Sequence, residues 1–446
     1  MIGPDKAKQF LHAALRASSA GQTEVMLFAQ DLELTRFANN LIHQNVAESN
    51  VTLTLRAVMG QRHGVATTND LSEEGIARAA DAAREAALRQ PEDPDFKGLP
   101  EPATPAEVHA FDEGTRTYSP EGRARAVGIV CRKAQAQGLN ASGAFRTGVQ
   151  EIAVANSLGV LAYHPATFAD YLVTVMSDDS ASRAQASAWK AAEINPEAVG
   201  DEALNKAMRG RNPRKIELGE YTVVVDPYVT SDIVAMLNWV GVSALAVQEG
   251  RSWMNDRLGQ SAMSPLVSIW DDGCDPAGYP QPFDFEGAPK RRVDIVQKGV
   301  VGQPVYDTYT ARKEGKASTG HALPAGQGGF GPLALNLFLA PGDNSLDEMI
   351  KSTERGLYIT SFWYTRPMHP RDCVITGMTR DGVFMIENGE LTYPVKNLRF
   401  TQSYVKALAD VEMVGREARL FIEEFGGAVS VPALKIRNFN FTGVTV

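Results

Sequence analysis

The chain has 446 residues, 44% of them apolar and 22% charged, with 53 acidic against 44 basic side chains and a formal net charge of −9. A single hydrophobic core stops growing near ~250 to 300 residues, so two or three domains are expected, and this balance of residues excludes a disordered or fibrous chain. The densest basic cluster is Lys290, Arg291 and Arg292, too little to neutralise a phosphate backbone, which excludes nucleic acid as a main partner.

Phe10, Leu11, Ala14 and Leu15 fall at helical spacing, and the pattern breaks at Ser18, Ser19 and Gly21 before the apolar run Val25 to Phe28. A helix leading into a strand is expected. Glu33 to Phe37 and Val51 to Met59 alternate, with Thr52, Thr54 and Arg56 opposite Val51, Leu53 and Leu55, the pattern of half-buried, antiparallel strands. Ser72 is placed to cap a helix with Glu73 and Glu74 in its first turn and an Ile76, Ala79, Ala80, Ala83, Ala87 stripe. Five prolines between Pro91 and Pro105 then exclude regular structure. Ser119 and Pro120 open a second helix to about Ala136, stopped by Gly138. Strands are expected at Ile152 to Ala155, Leu158 to Tyr163 and Tyr171 to Met176, followed by a helix over Pro196 to Met208 capped by Asn195.

Gly210 to Pro213 is the best domain boundary, dividing the chain into an N-terminal α+β domain, 1–212, and a β-rich C-terminal domain with a few helices, 213–446. In the second part Tyr221 to Val225 is a β-branched strand. Ser231 begins a long apolar helix carrying Ile233, Met236, Leu237, Val240 and Leu245. Strands and turns dominate from Val267 onward, except for a short helix opened by the capping box Ser345-x-x-Glu348, with Gly356 placed to end it.

Cys131, Cys274 and Cys373 are few and far apart, which suits a reducing, cytoplasmic setting and allows neither a disulfide framework nor a Cys-x-x-Cys zinc ribbon. The amphipathic start is no signal peptide, and nothing approaches ~18 consecutive apolar residues, so no membrane partner is expected. Metal held on one helix needs ligands at i and i+4, whereas the closest histidines, His43 and His63, are 20 residues apart. No Gly-x-Ser-x-Gly elbow occurs; Ser243 sits within a helical pattern. Cys373 acts as a nucleophile only if His369 or His321 approaches it. Gly326 to Gly331 spells G-x-G-x-x-G, but Pro332 and a strand-like run follow it rather than a helix, so the glycines allow a mobile loop that can approach a ligand rather than a dinucleotide site. Asp271-Asp272-Gly273 reads as a turn. No catalytic, metal or cofactor residue is assigned.

Several ordered segments resemble the TldD/PmbA family: Thr35 to Asn39, Thr68 to Leu71 and Asn156 to Gly159 in the first half, then Phe283-Asp-Phe-Glu-Gly287, Tyr309 to Lys313, Ser318 to His321, Ile386 to Gly389 with Pro394 to Lys396, and Pro432 to Lys435. In that family's protease branch a His-Glu-x-x-x-His motif lies on the helix that here begins at Ser231, with a metal-binding cysteine in a glycine-rich loop near the C-terminus. Counting back from Arg251-Ser252 places Ala235, Met236 and Val240 at the ligand positions, and Gly415 to Val429 contains no cysteine. The chain is therefore similar to the non-metal TldE/PmbA branch.

The resemblance implies dimerisation, a groove for an unfolded or extended peptide, and a role as non-catalytic subunit beside a TldD-like metalloprotease or a second copy of itself. The family is also associated with modulation of DNA gyrase. Extended peptides pair with strand edges, so contacts to peptide or partner are expected at Arg251, Ser252, Arg312, Ser318, Thr319 and His321. Two other readings stand beside this one: a homodimeric peptide-binding or regulatory protein, and a metal-independent hydrolase using Cys373 or a serine.

Overall fold

The computed structural model describes residues 1–422 and 427–444. Six antiparallel strands form the N-terminal sheet in the order β3-β2-β1-β4-β5-β6: β1 (Gln22–Ala38), β2 (Leu41–Met59), β3 (Arg62–Thr68), β4 (Asn140–Asn156), β5 (Leu161–Met176) and β6 (Ala181–Ala188). Most of the segments expected as separate strands are portions of these longer ones, because β1 pairs along nearly its whole length with both β2 and β4, and β4 with β5; Leu158 to Val160 forms the turn between β4 and β5.

Helices α1 (Pro4–Ala17) and α2 (Glu73–Arg89) cover part of the sheet, packing Leu11, Ile76 and an alanine stripe against Val25, Leu27, Leu53 and Leu55. The single turn α3 (Glu113–Arg116) follows the proline-rich segment. Helices α4 (Pro120–Ala136) and α5 (Pro196–Arg209) cover another part, through Val127, Val130, Ala203 and Leu204. Ser72, Ser119 and Asn195 each accept a first-turn N–H through the side chain, so the capping chemistry expected from sequence sets these three starts.

Among the described residues the C-terminal sheet has 11 strands: β7 (Gly219–Val225), β8 (Ile269–Asp271), β9 (Val293–Gln297), β10 (Val300–Val301), β11 (Asn336–Leu339), β12 (Arg355–His369), β13 (Val374–Glu387), β14 (Glu390–Pro394), β15 (Leu398–Ser403), β16 (Val411–Ile422) and β17 (Ala428–Val444). β17 pairs with β15 and also with β7, so β17, β15, β13, β12 and β7 close into a ring filled by Val223, Leu357, Ile375, Phe400, Leu434 and Phe439. Helix α6 (Pro227–Leu237) packs on this ring. The remaining helices are short: α7 (Ala244–Gln248), α8 (Thr308–Lys313), α9 (Leu346–Lys351) and α10 (Tyr404–Ala409). No helix among the described residues is long and apolar enough to cross a membrane.

Two local expectations are corrected. The Ser345–Glu348 capping box forms, but α9 ends at Lys351, and Gly356 lies inside β12, where a Cβ would come within 2.4 Å of the Thr222 carbonyl oxygen. Tyr309 to Lys313, expected as strand and turn, lies in α8, because Asp307 and Thr310 form a capping box whose signal is Asp rather than Ser followed by Glu.

The segment Phe283-Asp-Phe-Glu-Gly287 seats the C-terminal part on the N-terminal sheet. Phe283 and Phe285 pack among Met26, Ile152, Val154 and Val160, and His164 Nε2 lies 2.9 Å from the Pro280 carbonyl oxygen. Arg56 on β2 bonds Glu24 on β1 and Glu286, each at 2.8 Å. Burial pushes the Glu24 carboxyl up to about 7 despite the opposing Arg56 charge. Glu286 moves the other way: Arg56 and the Thr308 hydrogen bonds outweigh burial and hold it below the usual carboxylate range.

Candidate functional site

Helix α6 begins earlier than Ser231 and ends sooner than expected. Pro227 occupies its first turn, and Asp226 precedes it, where its Oδ2 accepts from the Tyr358 hydroxyl at 2.7 Å and from Lys206 at 3.2 Å. Asn238 to Val242 form a π turn, Ser243 is extended, and Leu245 belongs to the separate helix α7. The cause is Trp253 and Ser252. The indole Nε1 donates to the Leu237 carbonyl at 2.8 Å, the Ser252 hydroxyl donates to the Gly241 carbonyl at 2.5 Å, and a Cβ on Gly241 would stand 2.4 Å from Trp253 Cδ1. Side chains that capture helical carbonyls displace the ordinary i→i−4 ladder.

On this helix Ala235 and Met236 are half-buried; in the π turn after it Val240 is buried, while Trp239 is 64% exposed. The Trp239 ring meets Phe330, itself 65% exposed, edge-on at 6.4 Å between centroids. Phe330 comes from the Gly326–Gly331 loop, which Gly331 holds against the broken helix: its φ is 74°, and a Cβ there would lie 2.4 Å from Ser243 Oγ. The loop therefore presents an aromatic side chain against Trp239, as an outward apolar surface just past Ala235 and Met236 in the chain.

The six residues proposed from sequence do not converge. Thr319 and His321 share a buried relay: His321 Nε2 donates to Asp271 Oδ1 at 2.8 Å, and Thr319 Oγ1 lies 2.9 Å from His321 Nδ1 and accepts the Tyr306 N–H at 2.7 Å. Ser318 Oγ donates to the Tyr306 carbonyl at 3.2 Å beside it. Burial and the Lys290 charge lower the His321 pKa, so the imidazole is a neutral donor; burial opposes the Asp271 charge, but Lys290 and His321 hold that carboxyl below its usual range. This relay fixes the 318–321 turn. Its hydroxyl, imidazole and carboxylate are all buried, an arrangement suited to holding backbone rather than attacking a substrate.

Arg312 lies elsewhere and donates to the carbonyls of Lys97, Gly98 and Leu99 at 3.2, 2.6 and 3.1 Å, fastening α8 to the proline-rich segment. Arg251 is on the surface, paired with Glu249 at 2.5 Å. Ser252, expected as a contact, is wholly buried by its bond to Gly241. Asp271, expected as a turn residue, is a buried strand-end carboxylate whose Oδ2 also accepts the Asn336 N–H at 2.6 Å.

Cys373 is fully buried, and burial with the nearby Asp232 charge pushes its thiol up to about 12. The two histidines named as its possible bases are engaged elsewhere, His369 Nδ1 at 3.1 Å from Asp372 and His321 on Asp271. Asp232 on α6 accepts from Thr365 at 2.7 Å and Tyr404 at 2.9 Å, and burial pushes its carboxyl up to about 6 against those bonds. Among the described residues no three His, Cys, Asp or Glu side chains are grouped to hold a metal ion. Residues 423–426, within the Gly415 to Val429 stretch read for cysteine, lie outside the described residues.

One further feature was illegible as a site. β3 pairs with β2 only from Leu53 to Met59, so β2 from Leu41 to Thr52 has β1 on one side and no strand on the other among the described residues. Residues 41–45 are exposed, with Leu41 at 70% and Ile42 at 41%. No Lys, Arg or Pro guards this edge, the usual means of discouraging strand addition.

Three family models match in succession: PmbA/TldA metallopeptidase domain 1 over residues 30–87, the central domain over 100–211 and the C-terminal domain over 218–443. With the fold, these define a metallopeptidase-related class of protein. The chain belongs to the PmbA/TldD family. It is 26% identical over 398 residues to metalloprotease PmbA of Escherichia coli, covering 84% of this chain and 83% of the relative. A metalloprotease TldD homolog of Haemophilus influenzae is 20% identical over 422 residues, covering 87% and 86%. TldE from Thermococcus kodakarensis has the same fold, with a TM-score of 0.88 at 17% identity over 98% of this chain and 99% of that one. A Thermotoga maritima protein described as a candidate modulator of a DNA gyrase gives 0.85 at 19% identity, covering 98% and 100%.

Proposed function

We propose that this chain is a non-catalytic, TldE-like subunit that pairs with a metal-bearing, TldD-like protease and helps hold an extended peptide for cleavage or maturation. The observation that carries this reading is the surface of α6. Where the protease branch is expected to place metal ligands, Ala235 and Met236 present hydrocarbon on α6 and Val240 is a buried apolar side chain in the turn after it, with Trp239 and Phe330 as an exposed aromatic pair nearby. A divalent cation needs imidazole, carboxylate or thiolate there. The bare β2 edge supports the peptide half of the proposal, because an extended chain gains main-chain hydrogen bonds by adding to such an edge.

The test combines three measurements on full-length protein: metal content by elemental analysis, recovery of a partner from the native cell, and cleavage of an unfolded peptide with and without that partner. The expected outcome is no stoichiometric metal, capture of a His-Glu-x-x-x-His protein, and cleavage only in the pair. Zinc at one equivalent with chelator-sensitive cleavage by this chain alone overturns the reading. Self-association without a catalytic partner replaces it with the homodimeric peptide-binding alternative.

A further inference from the structure

A cavity of about 680 Å³ lies where the β5–β6 turn and the linker after α5 meet β12, β13 and the β14–β15 connection. Asp179, Asn212, Trp363, Arg380, Asp381 and Lys396 are among its lining residues. Ligand sites commonly fall at such junctions and in a range of about 300 to 1,000 Å³.

The charges around this cavity are unevenly committed. Asp179 Oδ2 accepts the Asn212 N–H at 2.7 Å, and Oδ1 accepts from Ser177 at 3.2 Å. Asp381 Oδ2 accepts from Ser361 at 3.3 Å, while Oδ1 stands 3.7 Å from Arg380 Nε, beyond a hydrogen bond. The Arg380 guanidinium lies 4.2 Å from the centroid of Trp363, which is 46% exposed. Lys396 is exposed, with no ion pair among the described residues. Arg209, Arg211, Arg214 and Lys215 crowd the adjacent linker, also without carboxylate partners among the described residues, and Arg214 is held 4.7 Å over Tyr393. Asp179 is occupied by the protein's own donors and Asp381 shares the Arg380 charge through Nε, whereas Lys396, the linker cations and the remaining N–H groups of Arg380 are available, in a chain whose net charge is −9.

We propose that this cavity binds a small ligand joining a flat ring to a phosphate or carboxylate group. The ring lies against the Trp363–Arg380 stack, and the anion is met by Lys396 and the free N–H groups of Arg380. Guanidinium and indole faces favour planar partners, and charge-assisted hydrogen bonds to an anion supply orientation.

The test titrates the full-length protein with adenosine diphosphate, indole-3-acetate and pyrophosphate, following heat and tryptophan fluorescence. One-to-one saturable binding of a ring-bearing probe is expected, with Kd raised at least about tenfold in Arg380→Gln or Lys396→Gln and the fluorescence change lost in Trp363→Phe. Binding of the diphosphate alone assigns phosphate chemistry; binding of indole-3-acetate alone assigns carboxylate. Both cations are exposed, so an unchanged Tm in the two variants separates lost binding from lost folding. The proposal is overturned if neither ring-bearing probe saturates below about 5 mM, if pyrophosphate binds as tightly as the diphosphate, or if binding survives both substitutions.

Discussion

Arg56 and Glu286, 230 positions apart in the chain, meet at 2.8 Å where the C-terminal part seats on the N-terminal sheet, and the same guanidinium holds Glu24. One cation therefore bridges two buried carboxylates. Arg56→Met removes it and leaves both acids without their counter-charge, so stability is expected to drop by about 3 to 5 kcal/mol, checked by denaturant unfolding at pH 8. A drop within about 0.5 kcal/mol, as for an ordinary surface change, shows that the bridge contributes nothing.

Gly287, at φ 79°, has no room for a side chain: a Cβ would come within 2.5 Å of Val160 Cγ1 across the same contact. Gly287→Val combines a left-handed backbone penalty with overpacking, and a loss of about 2 to 4 kcal/mol is expected. Thermal unfolding measures it. An unaltered Tm would place Val160 and Gly287 apart.

His164 is buried against Pro280, and burial pushes its pKa down to about 4 from 6.5. The unfolded chain takes up this proton between those values while the folded chain does not. Stability from this group is thus complete above pH 6.5, is lost as pH falls toward 4, and changes no further below that. His164→Gln is expected to lessen the decline in stability between pH 7 and pH 5 relative to the unaltered protein. Parallel curves for the two proteins contradict the assignment.

Thiol chemistry separates the cysteines. Cys274 is half-buried, whereas Cys131 and Cys373 are buried. At pH 7.5 a disulfide reagent is expected to modify one thiol quickly and the other two only on unfolding. Fast labelling that disappears in Cys373→Ala would reopen the thiol-hydrolase reading, which the depth of that side chain argues against.

Trp239 and Phe330 lie largely in solvent, so Trp239→Ala is expected to cost under about 1 kcal/mol of stability. Its effect should fall on peptide binding in the paired assembly, about tenfold by fluorescence anisotropy. Equal affinity in the variant would take this surface out of the peptide path.

Local chemistry was the legible part of the fold. Ser72, Ser119, Asn195 and Ser345 announce helices because a cap is written within three or four residues, and all four accept the expected N–H. The α6 break was not legible, since it depends on Trp253 and Ser252 reaching back to carbonyls 11 to 16 positions earlier. Alternation in β2 marked Thr54 and Arg56 as a polar face, which by period alone means solvent. In the structure Thr54 is 6% exposed, because the C-terminal part covers that face. Charged residues within apolar runs, Glu24 before Val25 and Arg56 after Leu55, were the only available signal. Sequence order likewise placed Ser318, Thr319 and His321 together, but nothing in it named Asp271 as the carboxylate beneath them.

The strand that closes the C-terminal ring lies far downstream of the strand it closes on. Ala428 to Val444 serves β7, β11, β15 and β16 at once, so residues near 220 wait for partners made some 200 positions later. A ribosome carrying this chain thus holds an N-terminal half able to settle early beside a C-terminal half with β7 and β15 each missing a neighbour until β17 emerges. Premature termination between β7 and β17 would release a product with unsatisfied strands, a natural substrate for chaperones and for quality-control proteolysis.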